Sequence, residues 1–159
     1  MKETIVIKHI SHRLREKITE IRHKSGLTAL LHEKDREQGY AVISSGCGGI
    51  DFLSAGEEDD YPLGMAHFLE HKLFANPDEI DSCEKFNRIG AYCNAFTSFD
   101  STAYLASCSC KLLVPSLREL IKSYFTPYFT DENVKSEASI ISEEIRMYAC
   151  DPFDKVYYA

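Results

Sequence analysis

Apolar and polar residues alternate in short runs over residues 18–47: ITEIRH and LTALLHE flank Ser25 and Gly26, and YAVISSGC follows the polar tip KDREQG. Alternation of β-branched and apolar residues around a glycine-containing turn predicts a hairpin followed by a third strand. The glycine cluster Gly46, Gly48 and Gly49 around Cys47 marks an irregular end to that strand. Beyond it the period lengthens. A first helix is expected from about Tyr61 to Phe74, with Asp59 or Asp60 as N-cap, Pro62 in the first turn and carboxylates complementing the macrodipole. A second is expected from about Asp78 to Ile89, after Pro77 and closed by Gly90. AYCNAFTSF and TAYLASCSC, on either side of Asp100 and Ser101, predict a second hairpin. Helices from about Leu112 to Phe125 and from Asp131 to about Cys150, with Pro127 between them, complete the pattern.

Strands and helices in alternating blocks predict an α+β fold, a largely antiparallel sheet with helices packed on one face. Residues 1–16 are expected to form an N-terminal arm and residues 17–159 one domain. The ending DPFDKVYYA reads as a turn and the first residues of another helix. The domain is therefore expected to be truncated at its C-terminal end, leaving Tyr157 and Tyr158 exposed. Tyr124, Phe125, Tyr128 and Phe129 around Pro127 read as aromatic packing at a helix corner.

Composition narrows the function. With 159 residues, 44% of them hydrophobic, the chain can bury a core and is not a disordered tail. A net charge of −7 repels phosphate backbones, which argues against nucleic-acid binding. The opening MKETIVIKHISHRLREK lacks an apolar stretch of signal-peptide length, and no segment approaches the roughly 18 apolar residues that span a bilayer. A soluble cytoplasmic protein with no membrane partner is the expectation. Six cysteines, at positions 47, 83, 93, 108, 110 and 150, contain no CxxC pair and are expected to be reduced, mostly buried thiols.

The chemistry concentrates in the first helix. In His67-Phe68-Leu69-Glu70-His71 the two histidines lie one turn apart on one face, with Glu70 beside them. Two imidazoles at that spacing can ligate one Zn²⁺, and an adjacent carboxylate that is not a ligand can take a proton from water at the metal. Met65, Ala66, Phe68, Leu69, Leu73 and Phe74 surround them, and polar groups on so apolar a helix are costly unless compensated. Zinc needs a third protein ligand, and the last helix offers Glu137, Glu143 and Glu144. Glu137 and Glu144 are two turns apart and share a face, whereas Glu143 is rotated about 100° away. His9, His12, His23 and His32 fall in the arm or the first hairpin and read as surface or strand residues.

GMAHFLEHKLF resembles the signature of the inverzincin metallopeptidases, the group that contains pitrilysin, insulin-degrading enzyme and mitochondrial processing peptidase. GAYCNAFTSFDSTAYLAS is similar to that family's substrate strand and EASIISEEIRMYACDP to its third-ligand helix, with Glu144 73 residues beyond His71. The similarity runs from about Lys17 to Pro152 and is greatest to a bacterial branch carrying AHFLEHKLF and NAFTSF. The resemblance implies a metallohydrolase-like half-domain in which His67, His71 and Glu144 hold Zn²⁺ and Glu70 is the general base. It further implies that Glu137 is a supporting carboxylate near the metal, and that Asn94 and Ala95 lie on the edge strand that holds a peptide backbone. Peptide is then the expected substrate, and zinc-dependent endopeptidase activity the expected function.

The resemblance also implies a partner, because family members carry a second, related half that contributes an Arg and a Tyr, which these residues do not include. The missing C-terminal half or a homologous subunit is expected to supply it. A zinc-binding but non-catalytic or partner-dependent subunit is the alternative. S-ribosylhomocysteine lyase shares a helical HxxEH string, but its third ligand is a later histidine after a CGT segment. Here Cys47 and Gly48 precede the motif and no histidine follows His71.

Overall fold

The computed structural model describes residues 4–51 and 64–152. They divide between two compact units, Met1–Arg36 and Glu37–Ala159. Among the described residues no helix is long and apolar enough to cross a membrane.

The first unit is an antiparallel meander of β1 (Ile5–Ser11), β2 (Glu16–Arg22) and β3 (Thr28–His32). The expected hairpin is β2–β3, turned at Gly26, whose φ of +98° suits glycine. The segment expected to be an arm instead carries β1, which pairs with β2 over its whole length, from Ile5 opposite Arg22 to Ser11 opposite Glu16. Lys8 and His9 interrupt its apolar residues, and a strand whose faces are both partly polar gives little period-two signal. Charged side chains bridge the strands: His9 meets Glu20 at 2.8 Å, His32 meets Glu16 at 2.5 Å, and Lys34 also reaches Glu16. Hydrogen bonds from Lys34 and His32 hold the Glu16 carboxyl below its ordinary range, and those from Arg22 and His9 do the same for Glu20. No described side chain of this unit is fully buried.

The second unit is built on β4 (Gln38–Ser45), β5 (Tyr92–Thr97) and β6 (Thr102–Ser109), antiparallel in the order β4-β6-β5. β5 and β6 are the second expected hairpin. Four helices accompany the sheet: α1 (Met65–Lys72), α2 (Ser82–Arg88), α3 (Leu113–Phe125) and α4 (Asp131–Cys150). Strand alternation sends Ala41, Cys93, Tyr104, Ala106 and Cys108 into one core with Phe86 of α2 and Leu120 of α3. The small residues on the strands make room for the rings and the leucine, and Tyr104 stacks edgewise between Phe74 and Tyr124. Phe125 and Phe129 of the aromatic run remain about half exposed.

Helix limits follow the capping chemistry. α4 begins where Thr130 and Asn133 form a reciprocal capping box, with bonds of 3.1 and 3.0 Å. α2 starts at Ser82 rather than near Asp78, because Asp78 accepts from the Ile80 N–H in a turn and Asp81 caps the helix through the Cys83 N–H at 2.7 Å. α1 follows Gly64, at φ +86°; the expected earlier start at Tyr61, with Asp59, Asp60 and Pro62, lies outside the described residues, as do Tyr157 and Tyr158.

The expectation of six reduced, mostly buried cysteines is corrected. Cys83, in the first turn of α2, is disulfide-bonded to Cys93 on β5, their Cα atoms 5.4 Å apart. The two positions are brought together by helix-on-strand packing, which CxxC spacing does not register. Cys108 is buried, Cys47 is half-buried, and Cys110 and Cys150 are exposed.

Within the glycine cluster after β4, Gly48 has a steric reason. The loop at Gly48–Asp51 lies on the β5–β6 turn, with Gly49 N–H donating to Ser98 at 2.9 Å and Ile50 N–H to Phe99 at 2.9 Å. A Cβ on Gly48 would stand 2.5–2.6 Å from backbone atoms of Phe99, Asp100 and Ser101, whereas one on Gly49 would meet only Ser98 O at 3.8 Å. Gly48→Ala is expected to cost about 1–3 kcal/mol by overpacking. Gly49→Ala should cost far less, a contrast that urea unfolding of the two variants measures.

Candidate metal centre

Two of the three predicted ligands leave α1 together. His67 and His71 stand one turn apart, with ring centroids 4.7 Å apart and planes at 88°, and their Nε2 atoms are separated by 3.2 Å. α4 packs on α1 and brings Glu144, whose Oε2 lies 3.6 Å from both Nε2 atoms. The three side chains are between one-fifth and one-third exposed, so solvent reaches the point they surround.

These separations can be compared with what zinc requires. Ligands about 2.0–2.1 Å from a tetrahedral ion stand roughly 3.3–3.4 Å from each other. Edges of 3.2, 3.6 and 3.6 Å fit that figure, and two imidazole nitrogens with one carboxylate oxygen are a donor set that zinc accepts. Among the described residues this is the one group of histidine, cysteine and carboxylate side chains so arranged.

Glu137, two turns before Glu144, accepts a hydrogen bond from His71 Nδ1 at 2.9 Å and is largely buried. That bond suits the tautomer protonated at Nδ1, whose Nε2 lone pair is the one available to a metal. Glu143 points elsewhere, pairing with Arg146 in solvent. Among the open candidates on α4, the side chains of Glu137 and Glu144 are therefore the two that meet the histidines.

Glu70 stays outside the three-residue group; its Oε2 accepts from the Thr97 hydroxyl at 2.7 Å. Asn94 and Ala95 lie on β5, an edge of the β4-β6-β5 sheet among the described residues, and the Ala95 N–H is met by the Asn94 side chain at 3.0 Å.

Three supporting residues were not anticipated. Lys72, beside His71, is the largest fully buried side chain, and its Nζ donates to the Asn133 carbonyl of α4 at 3.3 Å. Thr97 meets Glu70, as above. Tyr104, buried beneath α1, donates to the Leu69 carbonyl at 3.3 Å. A lysine inside AHFLEHKLF was the available signal for the first; the others are tertiary contacts that no local pattern marks.

Comparison with known proteins agrees with the geometry. Residues 54–159, two-thirds of the chain, match the sequence model described as insulinase (peptidase family M16). The chain is 39% identical over 159 residues to an uncharacterized zinc protease, YmfH, of Bacillus subtilis (strain 168), an alignment covering 96% of this chain and 37% of that protein. It is 29% identical over 121 residues to the mitochondrial-processing peptidase subunit beta of Caenorhabditis elegans, covering 70% of this chain and 26% of the relative. The crystal structure of an M16-like peptidase from Alicyclobacillus acidocaldarius superposes with a TM-score of 0.82 at 33% identity, over 93% of this chain and 35% of that one. An α+β unit with two helix-borne histidines facing a glutamate, similar to named zinc proteases, defines the class as a zinc peptidase fold. The chain belongs to the insulinase family, peptidase family M16. It spans little more than a third of the length of the Bacillus subtilis and Alicyclobacillus acidocaldarius proteins.

Burial first, then the negative charge of Glu70, then Tyr124, push the Tyr104 phenol far above its ordinary pKa. Its proton should therefore stay on through the range where exposed tyrosines lose theirs. Between about pH 9 and pH 11, Tyr104→Phe and the unaltered protein are expected to show equal tyrosinate absorbance changes. A deficit of one tyrosine in the variant would show that Tyr104 ionises.

Proposed function

We propose that this chain is the zinc-binding part of a metalloendopeptidase that hydrolyses extended peptides, with His67, His71 and Glu144 as metal ligands and Glu70 as general base. The observation that carries the reading is the convergence of two Nε2 atoms and one carboxylate oxygen at 3.2–3.6 Å. A zinc ion there supplies a positive charge that acidifies water and polarises a carbonyl. Glu137 orients His71 by holding its Nδ1 proton. Glu70 takes the proton of the attacking water and returns it to the leaving amine. Along β5, Asn94 and Ala95 hold the substrate main chain by strand addition, a recognition mode that depends little on side chains.

A second reading is supported by two comparisons. The chain covers 37% of one relative, and another is named as a subunit. In that reading zinc binds here, and cleavage requires the remaining half or a homologous subunit.

Glu70→Gln is expected to retain one zinc per chain and to lose about 10²–10⁴-fold in kcat. Glu144→Ala should lose zinc itself, read as metal content after dialysis. Full cleavage by the Gln variant would remove Glu70 from its role, and full metal content in the Ala variant would remove Glu144 from the ligand set. Zinc-loaded protein that cleaves only after a homologous subunit is added would select the second reading.

A further inference from the structure

Glu70 is a flexible side chain on a part-exposed helix face, and a base is useful only if its carboxylate is held in one orientation. Its Oε2 accepts the Thr97 hydroxyl proton at 2.7 Å, within the short range typical of hydroxyl–carboxylate bonds. That bond restrains the carboxylate plane and leaves both lone pairs of Oε1 for a proton.

The donor is itself rigidly placed. Thr97 is the last residue of β5, opposite Thr102 of β6, whose hydroxyl is anchored on the Cys47 carbonyl at 2.8 Å. The next residue, Ser98, is held by its N–H to Ser101 at 2.8 Å and by its carbonyl to the Gly49 N–H at 2.9 Å. Strand alternation puts Thr97 on the same face as Ala95 and Cys93, the less exposed face of β5. The hydroxyl therefore belongs to the very strand that carries Asn94 and Ala95.

We infer that Thr97 is a positioning residue: its hydroxyl orients the Glu70 carboxylate and ties the base to the strand edge along which an extended peptide lies. The inference rests on the proposed peptidase function. It assigns Thr97 no contact with the reacting atoms: the base is aimed before a peptide arrives, by a bond already made in the peptide-free chain.

The test compares Thr97→Val, which keeps shape and removes the hydroxyl, with Thr97→Ser, which keeps the hydroxyl, in the full-length zinc-loaded protein. The Val variant is expected to bind one zinc per chain and to keep KM within about twofold while kcat falls about 10–100-fold, the usual consequence of a misplaced catalytic group. The Ser variant should return kcat to within about threefold of the unaltered protein by the same reasoning. A second readout needs no metal and no turnover: in zinc-free protein, Thr97→Val should lower Tm in the presence of Glu70 and not in a Glu70→Ala background. Unchanged kcat in the Val variant, equal damage from Val and Ser, or the same Tm shift in both backgrounds would each overturn the inference. Absence of cleavage by the unaltered zinc-loaded protein, alone and with a homologous subunit, would overturn the peptidase reading and the positioning role with it, an outcome distinct from active enzyme indifferent to Thr97.

Discussion

The packing of α4 across α1 is the contact on which the candidate site depends. α1 by itself presents two imidazoles one turn apart, and α4 by itself presents two carboxylates two turns apart. Neither helix makes a site. Crossed, they bring Glu144 within 3.6 Å of both Nε2 atoms and Glu137 within 2.9 Å of His71 Nδ1. Two carboxylates and two imidazoles in one partly enclosed place amount to a concentration of electron pairs of the kind that suits a divalent cation. Lys72 ties the same two helices: buried on α1, it donates to a backbone carbonyl in the first turn of α4.

The sheet has a different part. β6 runs in the middle, paired on both sides, and Tyr104 on it reaches up to the Leu69 carbonyl of α1. β5, on the edge, is held from three directions: by β6, by the Cys83–Cys93 disulfide to α2, and by the Gly48 loop lying on its terminal turn. These cross-links fix the geometry of the edge strand along which the proposed function would add a peptide.

Much of this was legible in the residues. HxxEH on an apolar helix, the Glu137–Glu144 spacing, and two hairpins around glycine- and Asp-Ser-containing turns are local patterns, and each reports the element that carries it. The expected α4, Asp131 to about Cys150 after Pro127, agrees with the helix observed, and the Thr130–Asn133 capping box that fixes its start was seen only in the structure. β1 was missed for the converse reason: its lysine and histidine erase the alternation, and only pairing with β2 makes it a strand. The disulfide was missed because Cys83 and Cys93 sit on different elements.

The sequence by itself determined which side chains share a helix face and which residues alternate across a strand, since 3.6 and 2.0 residue periods are properties of the backbone alone. Tertiary structure decided which two of the candidates Glu137, Glu143 and Glu144 meet the histidines, that Glu144 and Glu137 face different nitrogens of His71, that β4 pairs with β6, and that a threonine on the edge strand holds Glu70. Those outcomes turn on the crossing of α4 over α1 and on the seating of helices on the sheet, where Phe86, Leu120 and Tyr104 pack against small strand residues. Packing of that kind sums over residues far apart in the chain, and no local window contains it.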